Sequence, residues 1–170
     1  MKILFGIVLI ALSLIVKPVL AEKAKASIYF TNESTSFAPV NIVKINSYCM
    51  TQYGLNSIQV ALHTTTTVDI EEPNLSPIEC QIFKWREINW KVNPGIYAAP
   101  DSPGACNMNL KYGYYFLKGW WWTIESNCPI TATCTQATAN REQENCLNKE
   151  VWFGNENNAS VKIVFDFDRP

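Results

Sequence analysis

The chain has 170 residues, of which 48% are hydrophobic and 17% charged, and its formal net charge is −1. That apolar content excludes a disordered tail. The missing basic surplus argues against a nucleic-acid partner, whose phosphates would need one.

Met1–Ala21 has the physics of a secretory leader. Lys2 supplies a positive start, Ile3 to Val16 is an uncharged apolar run, and Val19-Leu20-Ala21 offers the small or apolar residues a signal peptidase reads. The alternative, an uncleaved anchor, suits the segment less well. The run is short for a hydrocarbon core of roughly 30 Å, and Lys17-Pro18 interrupts it. Cleavage is expected to leave residues 22–170 as one domain, with no transmembrane segment after processing.

The mature chain carries little helical periodicity and frequent alternation, the pattern of strands. Ile28 to Thr31 reads as a short strand closed by Asn32-Glu33-Ser34. Val40 to Ile45 is rich in β-branched residues. Ile58, Val60 and Leu62 alternate with Gln59, Ala61 and His63, and Val68 and Ile70 flank Asp69. Ile78 to Val92 is long for one strand, and its apolar phase changes near Arg86-Glu87, which predicts a bulge or bend there. Val161, Ile163, Phe165 and Phe167 form a last strand, with Asp166 and Asp168 on its other face. About nine short strands divided by Pro, Gly and Asn turns predict an all-β fold, an antiparallel, Greek-key-like sandwich, with a barrel as second choice.

Thr131 to Asn148 departs from the pattern. It is polar, and it is expected to be a disulfide-stapled loop in which Thr138 caps a short helix over Ala139–Cys146. Six cysteines, Cys49, Cys80, Cys106, Cys128, Cys134 and Cys146, all follow the leader. An even count in an exported chain predicts three disulfides and leaves their pairing open. No C-x-x-C pair exists and His63 is the single histidine, so no metal centre and no cofactor are expected. Asn32-Glu33-Ser34 and Asn158-Ala159-Ser160 have the glycosylation pattern, which matters only if the source is eukaryotic.

Chemistry-bearing residues are sparse. His63 in strand phase should face solvent, which argues against a catalytic role. Glu71 and Glu72 are adjacent and would point to opposite faces, so they cannot form one acid–base pair. No G-x-S-x-G elbow or phosphate-binding glycine loop is present.

The aromatic residues are the anomaly. Six Trp and seven Tyr occur in the chain, and Tyr112–Trp122 reads YGYYFLKGWWW. Two strands, Leu110–Phe116 and Trp120–Ile124, joined by Leu117-Lys118-Gly119 with Gly119 left-handed, account for this run. Counting back from the turn sets Phe116 opposite Trp120, Tyr115 opposite Trp121, Tyr114 opposite Trp122 and Gly113 opposite Thr123. One face, with Tyr112, Tyr114, Phe116, Trp120, Trp122 and Ile124, is expected to be core. The other holds Lys111, Gly113, Tyr115, Trp121 and Thr123. Either Tyr115 and Trp121 simply cover the bare glycine, or they form a platform for an extracellular ligand, with Lys111 and Thr123 as hydrogen-bonding neighbours. The leading expectation is an exported, secreted or periplasmic binding protein, host-facing surface proteins included, whose partner is a glycan, a protein or peptide, or a membrane surface. The alternatives are a small secreted hydrolase with carboxylates from separate strands and a purely structural subunit.

Overall fold

The structure, a computed structural model, describes residues 23–35, 39–72, 80, 85–95, 104–115, 117–136, 143–154 and 157–168. The leader therefore lies outside the described residues. No helix among those described is long and apolar enough to cross a membrane.

The described residues form twelve strands: β1 Lys25–Asn32, β2 Val40–Tyr48, β3 Thr51–Gln52, β4 Ser57–Val60, β5 Thr65–Glu71, β6 Arg86–Pro94, β7 Cys106–Tyr115, β8 Gly119–Ser126, β9 Ile130–Gln136, β10 Glu144–Asn145, β11 Val151–Gly154 and β12 Asn158–Phe165. They build two six-stranded sheets, ordered β10-β9-β12-β1-β5-β3 and β11-β8-β7-β6-β2-β4. Neighbours pair antiparallel except β1 and β12, which run parallel from Lys25 opposite Asn158 to Asn32 opposite Phe165. Each sheet keeps two edges, so the fold is a sandwich and not a closed barrel. Between β1 and β6 the chain changes sheet at every connection.

Alternation drives this arrangement. Along β1, Ala26, Ile28 and Phe30 turn inward while Lys25 and Tyr29 face out; along β12, Ala159, Val161, Ile163 and Phe165 do the same. The facing sheet contributes Ile42, Val60, Ile88, Trp90, Leu110, Tyr112, Trp122 and Ile124. Phe30 joins the layers, edge-on to Trp90 at 5.8 Å and stacked on Phe165 at 6.1 Å. The Trp90 indole is buried, and its Nε1 donates to Gln52 Oε1 at 2.8 Å, a bond supplied by the two-residue strand β3.

The structure corrects several expectations. Ile130–Gln136 is a strand inside the first sheet, between β10 and β12, and not the start of a loop. Its inward residues include Ala132, Cys134 and Gln136, which are small or polar, so the alternation carries little apolar signal. The expected helix over Ala139–Cys146 is absent from its described part, because Glu144 and Asn145 pair with Cys134 and Thr133; Thr138 and Ala139 lie outside the described residues. The phase change at Arg86 marks the start of β6. The irregularity lies in its partner β2, between Lys44 and Asn46, where Ile45 is displaced outward as bulged residues are. Strand β4 stops at Val60. Leu62 is therefore exposed, and His63 sits in a turn at φ 55°, also facing solvent.

Asp166 and Asp168 follow β12 rather than sharing its face. Asp168 accepts from Thr35 Oγ1 at 2.8 Å, and Asp166 Oδ1 accepts from the Asp168 backbone at 3.3 Å, so both order a turn. Asn32 is wholly buried; its Nδ2 donates to the Val60 carbonyl at 3.3 Å and its Oδ1 accepts from Ser34 N at 3.2 Å. A buried, engaged amide has no room for an oligosaccharide. Asn158 is half-buried, with Oδ1 accepting from Lys25 N at 3.1 Å.

Three disulfides are formed, Cys49–Cys80, Cys106–Cys128 and Cys134–Cys146. Such bridging is typical of extracellular and periplasmic proteins.

Candidate functional site

The aromatic run does form a hairpin. The turn places Lys118 N 3.0 Å from the Tyr115 carbonyl, and Gly119 is left-handed at φ 90°, as its sequence position predicts. The pairing differs from the counted register. Tyr115 opposes Gly119, Tyr114 opposes Trp120, Gly113 opposes Trp121 and Tyr112 opposes Trp122. This slip of two residues leaves both faces with the expected membership, because side chains alternate with a period of two. The cause is Gly119 itself. It belongs to β8 because β11 closes on it: an added Cβ would lie 1.9 Å from the Gly154 carbonyl oxygen. Phe116 lies outside the described residues.

On the outer face, Trp121 lies flat over Gly113. A Cβ built on Gly113 would meet the Trp121 Nε1 at 2.8 Å, so the space above this glycine is filled by the indole and is not open to a ligand. Trp121 is only 8% exposed, whereas Tyr115 is 55% exposed. Their ring centroids are 6.4 Å apart. Trp152 of β11, paired with Trp121, completes the cluster, its ring 5.6 Å from that of Tyr115. Lys118 Nζ stands 5.0 Å from the Trp152 ring centroid, within cation–π range. Leu117, at the turn, is 92% exposed. Arg86 opposes Tyr112, so the same register continued by one residue sets Trp85, 57% exposed, beside Gly113.

Lys111 and Thr123 fall one row further from the hairpin tip and already have partners. Lys111 Nζ is 2.5 Å from Glu125 Oε2, and the buried Thr123 Oγ1 donates to the Cys146 carbonyl at 3.2 Å. Tyr115, Trp121 and Gly113 thus come together as a cluster, while Lys111 and Thr123 serve the sheet. Sequence reasoning missed Trp152 and Trp85. The signal for Trp152 was the short V-W-F-G alternation after a polar stretch, readable only once β11 is known to abut β8.

The inner face of the same hairpin holds a buried ionic cluster. Glu72 and Arg86 form an ion pair through Oε1 and Nε with side chains only 11% and 10% exposed. Tyr112 donates its hydroxyl proton to Glu72 Oε1 at 2.8 Å. The Arg86 guanidinium lies 5.4 Å from the Tyr112 ring centroid and 5.6 Å from that of Trp120. Burial, reinforced by the Glu72 charge, raises the Tyr112 pKa well above that of a free tyrosine. Glu71 faces the other way, toward Lys23 and Lys25, in agreement with the opposite-face argument for the Glu71–Glu72 pair. No group of three or more His, Cys, Asp or Glu that could hold a metal occurs among the described residues.

No protein-family model and no curated protein matches the chain. Among solved structures it is similar to the crystal structure of IP-1A from Alcaligenes faecalis. That likeness covers 84% of this chain and 91% of that one at 7% identity, with a TM-score of 0.36, which is too weak to carry an argument.

Proposed function

We propose that this chain is an exported binding protein that engages its partner with the aromatic end of the second sheet, formed by Tyr115, Trp152, Trp121 and the turn at Leu117 and Lys118. One observation carries the reading: Tyr115 and Leu117 are left exposed and Trp152 half-exposed at one surface, from two strands and a turn, although the core has its own full set of aromatics. Contiguous apolar exposure of this kind marks interaction surfaces. Trp121, fixed over Gly113, is the support, and Tyr115 and Trp152 are the accessible rings.

The hydrolase alternative gains no support from Glu71, Glu72, Glu125 or Asp69. Glu72 is neutralised by Arg86, Glu125 by Lys111 and Glu71 by two lysines, while Asp69 accepts from Ser27 Oγ at 2.7 Å. These are structural pairings and not an opposed acid and base.

A combined glycan and lipid array tests the proposal. The unsubstituted protein is expected to give a reproducible signal on one ligand class. The Tyr115→Ala, Trp152→Ala double variant should lose at least tenfold of it while losing only about 1–2 kcal/mol of stability, since both rings are partly exposed. A double variant that folds and binds undiminished would overturn the assignment of this surface.

A further inference from the structure

We propose that the partner of this surface is a phospholipid bilayer carrying anionic headgroups, with Leu117 entering the acyl boundary and Lys118 held at the phosphates. The proposal rests on the binding surface assigned above and names its occupant.

A small soluble ligand is recognised in a concavity that covers most of its surface. The hairpin tip is the reverse: Leu117, 92% exposed, stands at the turn, with no wall around it among the described residues. A bilayer can surround a projection. Behind the leucine, Tyr115 and Trp152 are amphipathic rings at the level where such rings sit in an interface. Lys118 lies over Trp152, so its ammonium and the indole present charge and apolar surface together, as interfacial lysines do. Trp85 broadens the same end of the sheet. The tip has a firm base, because Trp121 fills the Gly113 gap and β11 closes against Gly119.

Exposure alone does not single out Leu117. Leu55, in the connection between β3 and β4, is 78% exposed beside a single exposed ring, Tyr53, whose hydroxyl donates to Glu71, and not beside a group of rings gathered from neighbouring strands. Strand β4 is the edge of the second sheet opposite β11, so Leu55 is an internal control.

The test uses the exported protein and sedimentation with two vesicle types, phosphatidylcholine alone and phosphatidylcholine with phosphatidylserine. Binding to both is expected, more tightly to the anionic vesicles. Leu117→Asp should weaken binding to either type at least tenfold, and Leu55→Asp should leave it unchanged. Lys118→Gln should weaken binding about fivefold on the anionic vesicles only, the loss of one interfacial charge. A dye attached at Leu117→Cys should report an apolar environment when vesicles are added. The membrane assignment is overturned if neither vesicle type binds, or if Leu117→Asp, shown folded by circular dichroism, binds as well as the parent. Binding to the glycan spots of the array that still depends on Tyr115 and Trp152 would then keep the binding surface and replace its occupant with a glycan.

Discussion

Arg86→Ala is expected to destabilise the fold by about 3–5 kcal/mol, the cost of leaving a buried carboxylate without its counter-charge. Glu72 lies where β5 leaves the first sheet and Arg86 where β6 enters the second, so their pair closes the sandwich at the end that bears the aromatic hairpin. Without Arg86, Glu72 would keep the Tyr112 hydroxyl and a long 3.4 Å bond from Ala24 N, neither of which neutralises it. Lysine would be a poor substitute. The guanidinium is in cation–π range of Tyr112 and Trp120 while ion-paired with Glu72 and donating, through Nη2, to the Cys80 carbonyl at 2.8 Å. The companion variant, Glu72→Gln with Arg86→Met, removes both charges at once and should recover most of the loss. Denaturant unfolding of the three proteins checks this. A loss below about 1 kcal/mol for Arg86→Ala would show that the pair contributes little.

The same cluster gives an alkaline signature. The folded pKa of Tyr112 is raised, chiefly by burial, above that of a free tyrosine. Stability from this group is therefore complete below the ordinary tyrosine pKa of about 10 and is lost as pH rises from there toward the folded value, by about 1.4 kcal/mol per pH unit. Ultraviolet titration compared with that of the Tyr112→Phe variant should show Tyr112 ionising late, together with unfolding.

The strands legible in the sequence were those whose inward residues are large. Ile28 and Phe30, Val68 and Ile70, and Val161 to Phe165 declare themselves by alternation. Strand β9 did not, because Ala132, Cys134 and Gln136 on its inward face are small or polar, and such residues do not register as apolar alternation. The hairpin faces were legible because they depend on parity alone. Its register was not, because the contact that draws Gly119 into β8 comes from Gly154, distant in sequence. For the same reason Trp121 could be placed on the outer face but not judged exposed or covered: Gly113 beneath it was visible, Trp152 beside it was not. Opposite directions for Glu71 and Glu72 followed from strand geometry. That Glu72 would meet Arg86 and Tyr112 did not, since three separate strands or strand ends must converge before the pair exists.

Reduction of the three disulfides is expected to have the largest effect, about 9 kcal/mol in total. The bridges close sequence separations of 31, 22 and 12 residues, and each contributes roughly 3 kcal/mol in the loop-entropy account. For a domain of this size that corresponds to a fall in Tm of about 20–35 °C. Two of the bridges join strand ends and connections. Cys49–Cys80 ties the β2–β3 corner to the β5–β6 connection, and Cys106–Cys128 ties the start of β7 to the turn after β8. Cys134–Cys146 acts between layers. Cys146 N donates to the Ala132 carbonyl of β9 at 3.0 Å, and the Cys146 carbonyl accepts from Ile124 N of β8 at 2.8 Å, so one residue stitches the first sheet to the second. That stitch meets β8, the strand that carries Trp121. Cys134→Ala with Cys146→Ala should therefore cost about 3 kcal/mol and also loosen the aromatic end, seen as faster amide exchange along β8 than in the Cys49→Ala, Cys80→Ala pair. Peptide mapping without reductant should recover the three pairings. A fall in Tm below about 5 °C on full reduction, or a different set of pairings, would contradict this account of how the sandwich is held.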